Sequence, residues 1–127
     1  MNFRSLPAIA LVAALVAAGS APAHARLVAS TPVAAATVTK PTKIVLTFDE
    51  KIIGVVSGAD LTMTSMPGMT THAPMKITGF TAAMSADGKT LTLMLKHPLA
   101  VGDYQVDWHV AGADTHHTQG QFAFTVK

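Results

Sequence analysis

The chain of 127 residues contains no cysteine. No disulfide can staple the fold, a thiol nucleophile is excluded, and so is a thiolate-ligated electron-transfer centre of the blue-copper type. Charge is scarce as well. Nine Lys and Arg against seven Asp and Glu leave a formal net charge of +2 at pH 7, without the clustered basic face that a nucleic-acid partner needs. Beyond residue 19 there is no second long apolar run, so the body of the chain is not expected to be embedded in a membrane.

What the sequence does contain begins with a leader. Met1-Asn2-Phe3-Arg4 carries one positive charge, Leu6 to Gly19 is apolar and Ala-rich, and Ser20-Ala21-Pro22-Ala23 offers small residues in an A-x-A pattern. That is the signature of a secretory signal peptide. Residues 1–23 are therefore expected to be removed, leaving one exported, monomeric domain over residues 24–127. Its 104 residues carry a net charge of +1, because only Arg4 leaves with the leader. A domain of that size buries about two thirds of its unfolded surface. Ala23-His24-Ala25 satisfies the small-x-small rule too, so cleavage after Ala25 is a competing reading. The difference bears on chemistry. Cutting after Ala23 makes His24 the first residue, whose α-amine and imidazole can chelate one metal ion together; cutting after Ala25 destroys that chelate.

The mature chain reads as seven short strands: 27–30, 43–48, 59–64, 76–80, 90–95, 103–110 and 119–126. Residues 34–41 read as a loop. Leu91, Leu93 and Leu95 share one face, as do Tyr104, Val106, Trp108 and Val110, and then Phe122, Phe124 and Val126. Trp108 is expected as a core anchor, and Asp107 and His109 as surface residues. Seven strands with turn signals every eight to twelve residues, and no helix, predict an all-β Greek-key β-sandwich or barrel.

One stretch does not fit packing alone. Met63-Thr64-Ser65-Met66-Pro67-Gly68-Met69-Thr70-Thr71-His72-Ala73-Pro74-Met75 holds four thioethers and one imidazole. Pro67-Gly68 rules out a helix with a buried Met stripe, so the segment is a loop, where clustered Met has no packing reason. Only Met63, nearest the preceding strand, is expected to belong partly to the core. Thioether sulfur selects Cu(I), and imidazole suits copper as well. Met84 and Met94 lie outside the loop and receive no metal role, and His97 reads as a solvated turn residue.

A second set of donors lies between the last two strands, in Ala111-Gly112-Ala113-Asp114-Thr115-His116-His117. In extended backbone, residues i and i+2 project the same way, so Asp114 and His116 can reach one point. Nitrogen and oxygen donors of this kind suit Cu(II). The chain thus carries two chemically distinct donor sets.

Together with His24, the segments Leu27-Val28-Ala29-Ser30-Thr31-Pro32, Met63-Thr64-Ser65-Met66-Pro67-Gly68-Met69, Tyr104-Gln105-Val106-Asp107-Trp108 and Asp114-Thr115-His116 resemble the periplasmic copper-resistance protein C (CopC) family. The likeness runs over nearly all of the mature length. It implies a cupredoxin-like (Ig-like) β-barrel located in the periplasm. It implies that Cu(II) is held by the amine and imidazole of His24 with Asp114 and His116, and that Glu50 stands near them as a weak ligand or a supporting group. It further implies Met63, Met66, Met69, His72 and Met75 as candidate Cu(I) ligands. In the familiar pattern one residue separates the third Met from the His, whereas Thr70-Thr71 intervene here, so both Met63 and Met75 stay open as completing ligands. His117 stands where relatives commonly carry Pro.

The function implied is a periplasmic copper carrier in copper resistance and homeostasis. Its expected partners are copper ions and an inner-membrane copper importer of the CopD type or another periplasmic copper protein. Two other readings compete. An N-terminal His with a second His resembles the histidine brace of copper monooxygenases, although Asp114 would fill the position that oxygen needs. A metal-free Ig-like interaction module explains the strands but not Met66-Pro67-Gly68-Met69.

Overall fold

In Lys43–Phe48 the β-branched run alternates, and Ile44, Leu46 and Phe48 are all buried on one face. The same period of two recurs along the chain, and it builds the computed structural model, which describes residues 24–69 and 73–127. Both the leader expected at 1–23 and His72 lie outside the described residues. Nine strands are present among them: β1 (Leu27–Thr31), β2 (Thr37–Val38), β3 (Lys43–Phe48), β4 (Gly58–Ser65), β5 (Met75–Ile77), β6 (Phe80–Met84), β7 (Thr90–Leu95), β8 (Gly102–Ala111) and β9 (His117–Val126). A 3-10 turn spans Gly54–Val56. No helix among the described residues is long and apolar enough to cross a membrane.

The strands form two sheets, β1-β3-β7-β6 and β2-β9-β8-β4-β5. Every pairing is antiparallel except β2 with β9. Their inner faces meet in one core. Leu91 and Leu93 of the first sheet join Ile44, Leu46 and Phe48, and Leu61, Tyr104, Val106, Val110, Phe124 and Val126 come from the second. The all-β sandwich expected from the strand pattern is the fold observed.

Two strand assignments are corrected. Residues 34–41 are not wholly loop: Thr37 and Val38 run parallel to Thr125 and Val126, and the Thr125 and Lys127 N–H groups donate to the carbonyls of Ala36 and Val38 at 2.9 Å each. Thr37-Val38-Thr39 is β-branched but too short to signal a strand by itself, and the partner is supplied from the far end of the chain. The single strand expected at 76–80 is two. Met75–Ile77 pairs with β4 in one sheet, Phe80–Met84 pairs with β7 in the other, and the chain changes sheet at Thr78-Gly79. Corners of this kind arise where a strand leaves one layer of a sandwich for the other.

Trp108 is half-buried rather than fully enclosed. Its ring meets Phe48 edge-on, with centroids 5.3 Å apart and planes at 71°, and lies over its cross-strand partner Gly120. A Cβ on Gly120 would stand 2.5 Å from Trp108 Cζ2. Glycine is therefore required there by close approach.

Candidate metal centre

His24 owes its position to the two residues that follow it. Ala25 is 1% exposed and belongs to the core, and the Thr118 hydroxyl of β9 donates to its carbonyl at 2.9 Å. The Arg26 N–H donates to Asp49 Oδ1 at 2.8 Å, and the Asp49 N–H returns a bond to the Arg26 carbonyl at 3.0 Å. With both sides pinned, the chain before β1 has little freedom, and the exposed His24 side chain is delivered to the turn between β8 and β9.

That turn is tighter than the sequence suggests. β8 and β9 pair over ten residues, from Gly102 with Val126 to Ala111 with His117. The connection shrinks to Gly112–His116, closed by bonds from the Gly112 N–H to the His116 carbonyl (3.2 Å) and from the Thr115 N–H to the Gly112 carbonyl (2.9 Å). Asp114 and His116 do converge, but not because the backbone is extended. Thr115 has φ +68°, a left-handed conformation that is uncommon for a β-branched residue. The Asp114 carboxylate fixes the turn by accepting the His116 N–H on Oδ1 (3.1 Å), while Oδ2 lies 2.6 Å from His116 Nδ1.

The His24 and His116 rings stand 4.8 Å apart, nearly perpendicular at 79°. One ligand atom from each of His24, Asp114 and His116 lies within 4.8 Å of the other two. The hydrogen bond from the His116 side chain holds the Asp114 carboxyl below the usual carboxylate range, and the His116 N–H and the nearby imidazoles act in the same sense. The group is an exposed cluster of two nitrogen donors and one oxygen donor. Glu50, half-buried just after β3, is not one of the three.

The sulfur donors gather at the other end. Met63 on β4 and Met75 on β5 are directly opposite in register, so both side chains leave the sheet on one face. Met63 is 5% exposed and part of the core, and Met66 packs against that core. All three line one cavity of about 370 Å³, whose wall also includes Leu99, Tyr104 and His97. Met69 is 48% exposed and lies outside that lining, in a turn closed by its own N–H to the Met66 carbonyl at 3.2 Å. The start of the loop is tied down by Asp103, whose carboxylate accepts the hydroxyls of Ser65 and, at 2.7 Å, Thr125. Those two bonds, Ser65 first, hold the Asp103 carboxyl below its ordinary range. From Tyr104, beside the cavity, to Ala111, beside the β8–β9 turn, is seven residues of strand, or about 23 Å. The two donor sets occupy opposite ends of β8.

Against known proteins, residues 27–127 match the CopC domain. The chain belongs to the CopC family. Its match begins three residues after His24, so the first donor stands just ahead of the matched domain. A copper resistance protein C from Xanthomonas campestris pv. juglandis is 48% identical over 126 residues, 98% of each chain. PcoC, a methionine-rich copper resistance protein from Escherichia coli, is similar in structure with a TM-score of 0.74 and 40% identity, covering 82% of this chain and 99% of that one. CopC from Methylosinus trichosporium OB3b has a TM-score of 0.63 and 25% identity, covering 82% and 94%. Within this CopC-family chain, sequence reasoning missed His97 as a neighbour of the thioethers. Its Pro98 signalled a turn, but only the fold places that turn against β4 and β5.

Proposed function

We propose that this protein is an exported, periplasmic copper carrier that holds Cu(II) at His24, Asp114 and His116 and Cu(I) in the thioether cavity. The observation that carries the reading is the separation of the donors: nitrogen and oxygen converge at one end of β8, and three methionines line one cavity at the other. Cu(II) favours tetragonal nitrogen and oxygen ligation, and Cu(I) favours soft thioethers. Reduction of the cargo therefore reverses which end is preferred. The Xanthomonas relative and PcoC are both named copper resistance proteins, which supports copper as that cargo.

Cleavage after Ala23 supplies the fourth cupric donor, the His24 α-amine. Burial of Ala25 and its bond from Thr118 favour that cut, because cleavage after Ala25 would remove a core residue. The partner that receives or supplies the metal is an inner-membrane importer of the CopD type or another periplasmic copper protein. The two imidazoles also resemble a histidine brace. Asp114 stands beside them and would ligate a bound copper ion in place of oxygen, which argues for carriage over catalysis.

Mass spectrometry of the exported protein is expected to give His24 as its first residue. Titration is expected to give one cupric and one cuprous ion per chain, with each binding undisturbed by the other. A protein that binds neither ion overturns the proposal.

A further inference from the structure

His97 sits on the turn between β7 and β8, and nothing about that turn is loose. The Leu95 N–H donates to the Thr42 carbonyl (2.9 Å), the Lys96 N–H to the Gly79 carbonyl (2.8 Å) and the Leu99 N–H to the Pro41 carbonyl (3.2 Å). The Tyr104 hydroxyl closes the far side by donating to the Ala100 carbonyl at 2.7 Å. Leu99 is buried in the core, and Pro98 restricts the backbone on both sides of its own peptide bond. The residue between these anchors is thus held in place, on the wall of the cavity lined by Met63, Met66 and Met75.

We propose that His97 supplies an imidazole nitrogen to a cuprous ion held by those three thioethers. The inference rests on the reading of the cavity as a soft-metal site. Three neutral sulfurs satisfy a Cu(I) ion only in part, and the rest of the wall offers it aliphatic carbon and the Tyr104 ring. A neutral imidazole adds a stronger σ-donor without adding charge, and imidazole is a ligand copper accepts. His97 and Met75 are exposed while Met63 is buried, so the imidazole and one thioether stand where an arriving ion would first be met and Met63 stands further in. The backbone pinning means that this donor requires no loop to order itself on binding, which lowers the entropic cost of capture.

The test uses the exported protein loaded with Cu(I), comparing wild type with His97→Ala and His72→Ala. X-ray absorption is expected to show sulfur ligation plus the multiple scattering of an imidazole. Replacing His97 is expected to remove an imidazole contribution, keep the sulfur, and weaken Cu(I) in competition with a chromophoric chelator by about tenfold or more, since loss of even an outlying partner of a metal ligand costs about 10–100-fold. An imidazole contribution and affinity that survive His97→Ala overturn the inference, whether or not His72→Ala removes them. Wild-type protein that shows no sulfur ligation overturns the soft-metal reading of the cavity itself, a distinct result.

Discussion

His24→Ala is expected to weaken Cu(II) binding by about a thousandfold or more while leaving Cu(I) affinity unchanged. The substitution removes the imidazole directly and breaks the chelate it forms with the terminal amine, so two of the four proposed donors stop acting together. Loss of a mere outlying partner costs about 10–100-fold at a metal site, and loss of a chelating pair exceeds that. The fold should be indifferent, because His24 is exposed and the anchoring contacts belong to Ala25, Arg26, Thr118 and Asp49. Calorimetric titration of both ions checks the selectivity. Equal losses for the two ions would mean that the donor sets are not separate. The Asp114 carboxyl is held below its ordinary range, so it stays ionised as the solution becomes mildly acidic.

The opposite selectivity is expected when Met63 and Met75 are both replaced by Leu. Cu(I) affinity should fall by about a hundredfold or more, with Cu(II) binding untouched. These two are chosen because they face each other across β4 and β5 and because Leu is close to Met in volume. Such swaps usually cost under about 1.5 kcal/mol even in a core, so the buried Met63 can lose its sulfur without unfolding the domain. Met69→Leu serves as the comparison. It lies exposed outside the cavity lining and is expected to change Cu(I) affinity far less. A Met69 effect as large as that of the pair would place the cuprous ion in the loop rather than in the cavity. Chelator competition measures all three proteins, and urea unfolding confirms that the scaffold is intact.

Local patterning made most of the strands legible. Leu91 and Leu93, or Tyr104 and Val106, alternate with polar residues and end in the core as period two demands. What local patterning could not carry was anything decided by a distant partner. Thr37 and Val38 become a strand only because the last residues of the chain run beside them. Thr78-Gly79 looks like the interior of a strand, yet the two sheets claim its two sides. The same limit applies to the sites. Asp-x-His announces itself in sequence, but it converges through a left-handed Thr115 and an Asp114 that bonds the backbone of its neighbour, not through an extended strand. Spacing alone leaves Met63 and Met75 as rivals, whereas the β4–β5 register makes them neighbours in the lining of one cavity. His97 joins them from a segment more than twenty residues away in sequence, and no motif announces it.

Nuclear magnetic resonance of the mature protein, loaded with Cu(II) and then reduced in the same tube, tests the sorting of valences most directly. Paramagnetic broadening should first erase signals around Ala25, Ala111 and Thr118 and leave the methyl groups of Met63, Met66 and Met75 sharp. On reduction the erased signals should return and those methyl resonances should shift. If both oxidation states perturb the same end of β8, copper is not sorted by its valence and the account is wrong.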